Sequence, residues 1–342
     1  MADRTGDNGK PPAEELPLLQ VKDLKTYFFT RRGIVKAVDG VSLTVRRGEI
    51  RGVVGESGCG KSMTAMSILQ LVDKPGRIVS GEVWFKGENL LARSRREMTA
   101  IRGKQIAVIF QEPKSSLNPV LKVSTQLLEV LKVHQDVGRL PRTEEAVKML
   151  KEVGIPDPER RIHNYPHELS GGMAQRVMIA MGMACAPDLL IADEPTTALD
   201  VTIQAQVLDL IRTLRNERGM AVMLITHAMG VVAEMADVVT VMYAGTAVEE
   251  APTLNLFDEP LHPYTRGLIA SIPVMGQRKE RLEVIPGRVP NLIDMPPGCR
   301  FAPRCRARVE HGLEKCTVEE PPMIEARPGH LVRCWLYEGD QR

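Results

Sequence analysis

At 342 residues the chain exceeds one typical domain, which predicts a main body carrying an extension. Its net charge of +2 is nearly neutral, and residues 251–342 hold 13 Lys/Arg against 12 Asp/Glu, so neither part offers the strongly basic face of a phosphate-backbone binder and nucleic acid is disfavoured as a partner. No window reaches about 18 uninterrupted apolar residues and six cysteines at this length do not make a secreted disulfide scaffold, which points to a soluble cytoplasmic protein that does not span a bilayer by itself.

Residues 1–17 are polar, of both charge signs, with three prolines and no apolar core for a signal peptide; they are expected to form a disordered lead-in. Leu18–Leu24 and Val35–Val45 have the β-branched, partly alternating pattern of strands, with Arg31-Arg32-Gly33 as the turn, and predict an antiparallel sheet. Tyr27 follows the first of them, where its ring could stack on adenine or simply pack within the sheet. The apolar run Ile50–Val54 then enters Gly55-Glu56-Ser57-Gly58-Cys59-Gly60-Lys61-Ser62, and Met63–Leu71 leaves it with helical spacing. This fits the template G-x-x-x-x-G-K-[ST] in the strand, loop, helix context the template requires. Backbone N–H groups of such a loop surround β- and γ-phosphates, Lys61 adds a point charge and Ser62 a hydroxyl ligand for Mg²⁺. The alternative, a Gly-rich turn before a surface helix, leaves Gly-Lys-Ser unexplained.

Ile78–Phe85 and Ile106–Phe110 read as short strands, the second ending at Gln111, an amide able to ligand Mg²⁺, orient water or merely cap. Between Leu121 and Ile155 apolar residues recur at helical spacing until Pro156-Asp157-Pro158, which predicts a helical insert. Ser170-Gly171-Gly172 then opens a helix-forming stretch to Cys185. It is either an N-cap or a second anion site, and one chain has little use for two γ-phosphate cradles, so the second is expected to face a nucleotide held by another subunit. Leu189–Asp193 is a buried apolar strand that ends in Asp193 and Glu194, where ligands of parallel sheets gather. Asp193 is placed to hold Mg²⁺ through water and Glu194 to polarise the attacking water. Ala198-Leu199-Asp200 forms a turn before an amphipathic helix, Ile203–Arg218. Ala221–Thr226 is another buried strand, ending at His227, whose imidazole could reach a γ-phosphate or the water. Val238–Tyr243 and Thr246–Glu250 predict a closing hairpin.

Taken together, Gly55 to Ser62, Gln111, Leu169 to Gln175, Leu189 to Glu194, Ala198 to Asp200 and His227 resemble the ordered motif set of ATP-binding cassette ATPases. Gly-Glu-Ser-Gly-x-Gly-Lys-Ser, Phe-Gln-Glu-Pro-x-x-Ser-Leu-Asn-Pro and Ala-Asp-Glu-Pro-Thr-Thr-Ala-Leu-Asp narrow the resemblance to the ATPase subunits of dipeptide and oligopeptide importers. It covers residues 18–342 and implies an α/β P-loop NTPase (RecA-like) core over 18–250, with an antiparallel β subdomain, a helical subdomain at about 112–184 and a C-terminal extension over 251–342. The implied roles are adenine stacking for Tyr27, phosphate and Mg²⁺ binding for Lys61 and Ser62, and Mg²⁺ binding with coupling to the membrane subunits for Gln111. They continue with contact to the partner's ATP for Ser170 to Gly172, general base for Glu194 and γ-phosphate contact for His227. The resemblance further implies a head-to-tail ATPase dimer, two membrane-spanning subunits docked on the helical insert, an external solute-binding protein, and a peripheral place on the cytoplasmic face of the membrane. Cys59, Ala174 and Ala228 stand where Ser, Arg and Asp are usual; the last leaves His227 without its habitual neighbour.

After Glu250 the composition shifts toward Pro and Gly, with Pro263–Ser271 expected as a short helix and Ile285–Pro297 as extended chain. Cys299, Cys305, Cys316 and Cys334 then cluster, and in a reducing cytosol a metal is their natural use, either Zn²⁺ or an iron-sulfur cluster. Arg300, Arg304, Arg306 and Arg308 are expected either to offset the charge of such a thiolate site or to form a solvated basic face. The resemblance implies a [4Fe-4S] cluster on these four cysteines. Cys59 and Cys185 are expected to be inert small residues. The readings that compete are an ATPase of the same kind for nickel, opines or sugars, a soluble cassette protein acting on DNA or ribosomes, and a metal-cluster scaffold without turnover.

Overall fold

The computed structural model describes residues 16–112, 116–134, 143–197, 199–272, 285–293 and 295–339. In chain order its strands are β1 (Leu19–Thr30), β2 (Gly33–Val45), β3 (Ile50–Val54), β4 (Gly76–Phe85), β5 (Glu88–Asn89), β6 (Ile106–Ile109), β7 (Leu189–Asp193), β8 (Ala221–Thr226), β9 (Val238–Tyr243), β10 (Thr246–Pro252), β11 (Ile324–Arg327) and β12 (His330–Val332). They form a four-stranded sheet of order β2-β1-β4-β5 and an eight-stranded sheet of order β11-β12-β10-β9-β3-β8-β7-β6. The first is antiparallel throughout. In the second, β9, β3, β8, β7 and β6 run parallel, and β10 to β12 add an antiparallel edge.

The parallel strands β3, β7 and β8 are buried at every position, as strands covered on both faces must be, and the one cation among them, Arg51, pairs with Glu49 and Glu250, each at 2.9 Å. One core lies between the two sheets, joining Val21, Leu24 and Val41 to Val53, Ile191 and Ile225. Another lies between the large sheet and its helices, joining Ile109, Leu190 and Val222 to Leu127, Leu150, Ile179 and Ile211. The predicted helical insert consists of Val123–His134 and Thr143–Glu152, and residues 135–142 between them lie outside the described residues. The lead-in before residue 16, Ala198, and residues 113–115 of the Phe-Gln-Glu-Pro motif also lie outside them.

The segment after residue 250 shares the sheet and core of what precedes it. β12 pairs with β10, Glu249 opposite Val332 and Glu250 opposite Leu331. Tyr264 and Phe301 pack with Val239, Val241 and Tyr243 in one cluster. The Glu249 carboxylate is fully buried, a position that requires donors on its oxygens. It accepts from the backbone N–H of Leu261 (2.6 Å) and His262 (2.9 Å) and pairs with His330 Nε2 at 2.7 Å. Two parts of the later chain, Leu261–His262 and β12, are thereby tied to one strand of the main sheet.

Candidate ATP site and the C-terminal cysteines

Four adjacent parallel strands deliver the candidate residues to one edge of the sheet. β3 ends at the Gly55–Ser62 loop, β8 at His227, β7 at Asp193 and Glu194, and β6 just before Gln111. Gly60, at φ 102°, precedes the helix Lys61–Ile68, and a Cβ there would stand 2.3 Å from the carbonyl oxygen of Ala37. Only glycine fits so close a backbone approach in that conformation. Ser57 and Gly58 are exposed at the loop's tip, and Cys59 is buried beneath it. Lys61 is buried, with Nζ donating to the carbonyl oxygens of Gly55 (2.8 Å) and Glu56 (3.1 Å) and lying 3.7 Å from Cys59 Sγ. Burial raises the Cys59 thiol, against the opposing charge of Lys61.

Ser62 Oγ donates to Asp193 Oδ1 at 3.0 Å. Burial, with the neighbouring Glu194 charge adding to it, raises the Asp193 carboxyl against the opposing hydrogen bond from Ser62. A hydroxyl and a carboxylate side by side are the hard oxygen donors that suit Mg²⁺, so this pair fits that ion. Glu194 is a hub: Oε2 accepts from Gln111 Nε2 at 2.9 Å and Thr197 Oγ1 at 2.8 Å, and Oε1 lies 3.1 Å from His227 Nδ1. Burial alone would raise its carboxyl, but hydrogen bonds from Thr197 and His227 and the charges of His227 and Lys61 outweigh it and hold the group below its ordinary value. Glu194 is therefore an anion at neutral pH, in contact with an imidazole. Thr197 was not singled out in the sequence; its position in Pro-Thr-Thr, three residues after Glu194, is the only local signal for it.

Tyr27 lies inside β1 rather than at its end, and its hydroxyl donates to Asp39 Oδ1 at 2.5 Å while Lys36 Nζ stands 5.8 Å over the ring. By strand alternation Phe28 shares the opposite face with Thr26, whose hydroxyl meets Ser67 of the helix after the phosphate loop at 2.7 Å. Ser170 and Asp200 act as N-caps, accepting from the N–H of Met173 (3.3 Å) and Ile203 (2.9 Å). Ser170, Gly171, Gly172, Leu199 and Asp200 line a cleft of about 490 Å³ that Lys61 does not line.

These elements have close counterparts. The ABC transporter family profile matches residues 38–197, and that of the oligopeptide/dipeptide transporter C-terminal region matches 248–311. The chain is 52% identical over 320 residues to the probable peptide ABC transporter ATP-binding protein y4tR of Sinorhizobium fredii, covering 93% of this chain and 94% of that one. It belongs to the ABC transporter ATPases. The oligopeptide transport ATP-binding protein AppD of Bacillus subtilis is 48% identical, over 94% of this chain and 97% of its own. The dipeptide transport ATP-binding protein DppD of Escherichia coli is 45% identical, over 93% and 96%. Among solved structures, the dimeric ATP-binding cassette MJ0796 in a post-hydrolysis state bound to ADP and Pi is 27% identical, with a TM-score of 0.62 over 69% of this chain and 98% of that one. The α/β cassette fold and ATP hydrolysis follow from this membership.

In this ABC ATPase the four C-terminal cysteines share one neighbourhood: burial, with the nearby thiols adding to it, pushes the Cys299 thiol up to about 11 and Cys334 to about 12. The Cys299 N–H donates to the Cys316 carbonyl at 2.9 Å. Among the described residues, however, no group of three or more His, Cys, Asp or Glu side chains is gathered closely enough to hold a metal ion. The donor set has the right chemistry for a soft metal site, but its atoms do not converge. Two of the four arginines, expected either to offset the charge of these thiols or to form a solvated basic face, do neither and face the ATPase core instead. Arg300 and Arg304 are both buried; Arg300 pairs with Asp39 at 2.6 Å and Arg304 with Glu56 at 2.7 Å. The desolvation cost of a buried guanidinium is met by these carboxylates. No helix among the described residues is long and apolar enough to cross a membrane.

Proposed function

We propose that this ABC ATPase energises the uptake of di- and oligopeptides, working with a second, homologous ATPase subunit, two transmembrane subunits and an external solute-binding protein, at the cytoplasmic face of the membrane. The observation that carries the reading is full-length similarity to three proteins named for peptide transport, coupled with the match of residues 248–311 to the oligopeptide/dipeptide transporter C-terminal region. Residues 18–250 are the nucleotide-binding domain and 251–342 its extension.

In this reading Lys61 leaves the carbonyls of Gly55 and Glu56 for phosphate oxygens, which the loop's N–H groups also bind. Ser62 and Asp193 hold Mg²⁺, with Gln111 beside them. The ion would supply charge neutralisation to the phosphates there. Glu194 accepts the proton of the attacking water at a carboxylate oxygen, while Thr197 and Gln111 fix that carboxylate. His227, aligned by Glu194 without help from residue 228, reaches toward the γ-phosphate. Ser170, Gly171 and Gly172 complete the site of the opposing subunit, with Asp200 at the same seam. Tyr27 is the adenine-stacking ring; Phe28 is the second candidate, because it shares a face with Thr26 and so lies toward the phosphate-loop helix. Loss of ATP affinity in Phe28→Ala but not in Tyr27→Ala would reassign the role.

Cys299, Cys305, Cys316 and Cys334 would hold a [4Fe-4S] cluster that draws together thiols standing apart in this structure, with Zn²⁺ as the competing occupant; their shared neighbourhood supports the grouping. Iron and acid-labile sulfide assayed in anaerobically purified protein test this, and stoichiometric zinc without iron would overturn it. The turnover assignment is tested by Glu194→Gln, which should bind ATP and fail to hydrolyse it in the steady state.

A further inference from the structure

Glu56, the second residue of the phosphate loop, is held from outside the loop at both its backbone and its side chain. Its N–H donates to Tyr264 Oη at 2.8 Å, and Tyr264 is fully buried. Its carboxylate takes two hydrogen bonds from Arg304, Nη1 to Oε2 at 2.7 Å and Nη2 to Oε1 at 3.1 Å. Such a fork fixes direction as well as distance. Arg304 is itself immobilised: Nε donates to the Pro286 carbonyl at 2.8 Å, and the guanidinium lies 5.8 Å from the Tyr243 ring centroid and 6.0 Å from that of Phe301.

Four residues earlier, Arg300 bears on the same loop by another route. Its Nη1 donates to the Ala244 carbonyl at 2.7 Å and its Nη2 to Asp39 at 2.6 Å. The next residue, Gly245, donates its N–H to the carbonyl of Cys59 at 2.9 Å and accepts at its own carbonyl from the Asp39 N–H at 2.8 Å. The loop is thus gripped at Glu56 and at Cys59, on the two sides of its exposed tip. Both grips originate in residues next to a cysteine of the C-terminal group, Cys299 and Cys305.

We infer that the extension is a brace for the phosphate loop, with Arg304 and Tyr264 as positioning residues for ATP binding through Glu56, and Arg300 as a second one through Ala244–Gly245. The carbonyl oxygens of Gly55 and Glu56 that now hold Lys61 Nζ must let it go when phosphate arrives. A braced Glu56 keeps the loop open in the shape of the phosphate instead of closing on its own lysine. Whatever orders the cysteine segment orders the roots of both arginines, so the state of that segment is transmitted to nucleotide affinity. The inference rests on the loop being the ATP site.

The test is the dissociation constant of ATP for the full-length chain, with KM and kcat alongside. Glu56→Gln removes the charge from a partly exposed loop residue and leaves the buried clusters untouched, and Arg304→Lys keeps the charge but loses the fork. Each is expected to raise the Kd and KM for ATP about tenfold while kcat falls less than threefold, and the double variant is expected to be no worse than the worse single. Arg306→Ala, an exposed arginine two residues after Arg304 that takes part in neither grip, serves as control and should bind ATP as the unaltered chain does. Unchanged affinity in a folded Glu56→Gln or Arg304→Lys, losses that multiply in the double variant, or an equal loss in the control would each overturn the brace. Lys61→Ala separates the two levels: if it binds ATP normally, the loop is not the ATP site, whereas loss of binding there with normal Glu56→Gln overturns the brace alone.

Discussion

Glu194 has a left-handed backbone at φ 47°, a conformation that costs a non-glycine residue about 1–3 kcal/mol and persists where surrounding contacts impose it. Here the contacts are named: its N–H donates to the Ile225 carbonyl at 2.8 Å, and its carboxylate is held by Gln111, Thr197 and His227. Removing the base while keeping the shape should therefore cost chemistry and not binding. Glu194→Gln is expected to lower kcat by about 10²–10⁴-fold with ATP affinity unchanged, measured by steady-state phosphate release and equilibrium binding. The two carboxylates also shift in opposite directions. Asp193 is raised from 3.8 and Glu194 lowered from 4.5, so acid protonates Asp193 at a higher pH than it would a free aspartate and weakens the Mg²⁺ site, whereas Glu194 holds its charge to a lower pH than a free glutamate. The apparent Mg²⁺ requirement should rise as pH falls, with excess Mg²⁺ restoring the rate. An acid loss that Mg²⁺ does not relieve would assign the limb to another group.

Among the elements, the phosphate loop depends on one glycine and on the segment around Tyr264. Gly60→Ala places a Cβ against the Ala37 carbonyl at φ 102° and should abolish ATP binding in a chain whose sheets remain folded by circular dichroism. Tyr264→Phe leaves the part-buried Glu56 N–H without its acceptor, a loss of about 1 kcal/mol visible as a lower Tm and a weaker ATP Kd. His262, whose Nδ1 accepts from the Tyr264 N–H at 3.0 Å, makes the same segment sensitive to acid. Burial holds its pKa down at about 4 against an ordinary 6.5, with Glu249 opposing and Arg266 and Arg333 assisting. The unfolded chain takes up this proton first as pH falls, so its contribution is whole above pH 6.5, declines between 6.5 and about 4 and is gone below, about 3 kcal/mol at most. His262→Asn, which keeps a capping acceptor, should flatten the fall in Tm over that window; an unchanged slope would place the sensitivity elsewhere.

Across the whole molecule, what was legible in the sequence was what neighbours in sequence encode. Gly55 to Ser62 carries its own template, and the apolar runs Leu189–Asp193 and Ala221–Thr226 declare buried strands whose ends must face a ligand. The contacts that join distant parts left no such trace. Glu56 and Arg304 are 248 residues apart, and an arginine beside a cysteine reads as a counter-charge for the cysteine until the fold turns it toward the phosphate loop. β11 and β12, of four and three residues, are too short to declare themselves, and are strands because the edge of β10 offers β12 a partner and β12 in turn offers one to β11. The boundary expected at residue 250 falls inside β10, since Ala251 and Pro252 pair with Val239 and Val238 of β9 and carry the strand beyond the composition change. The central claim, that this ATPase drives peptide uptake, is tested most directly by the ATPase rate of the complex reconstituted with its membrane subunits and binding protein, measured across di-, tri- and longer peptides. The account predicts stimulation by at least one of these peptide classes that disappears in Glu194→Gln; a complex that hydrolyses ATP but responds to no peptide would contradict it.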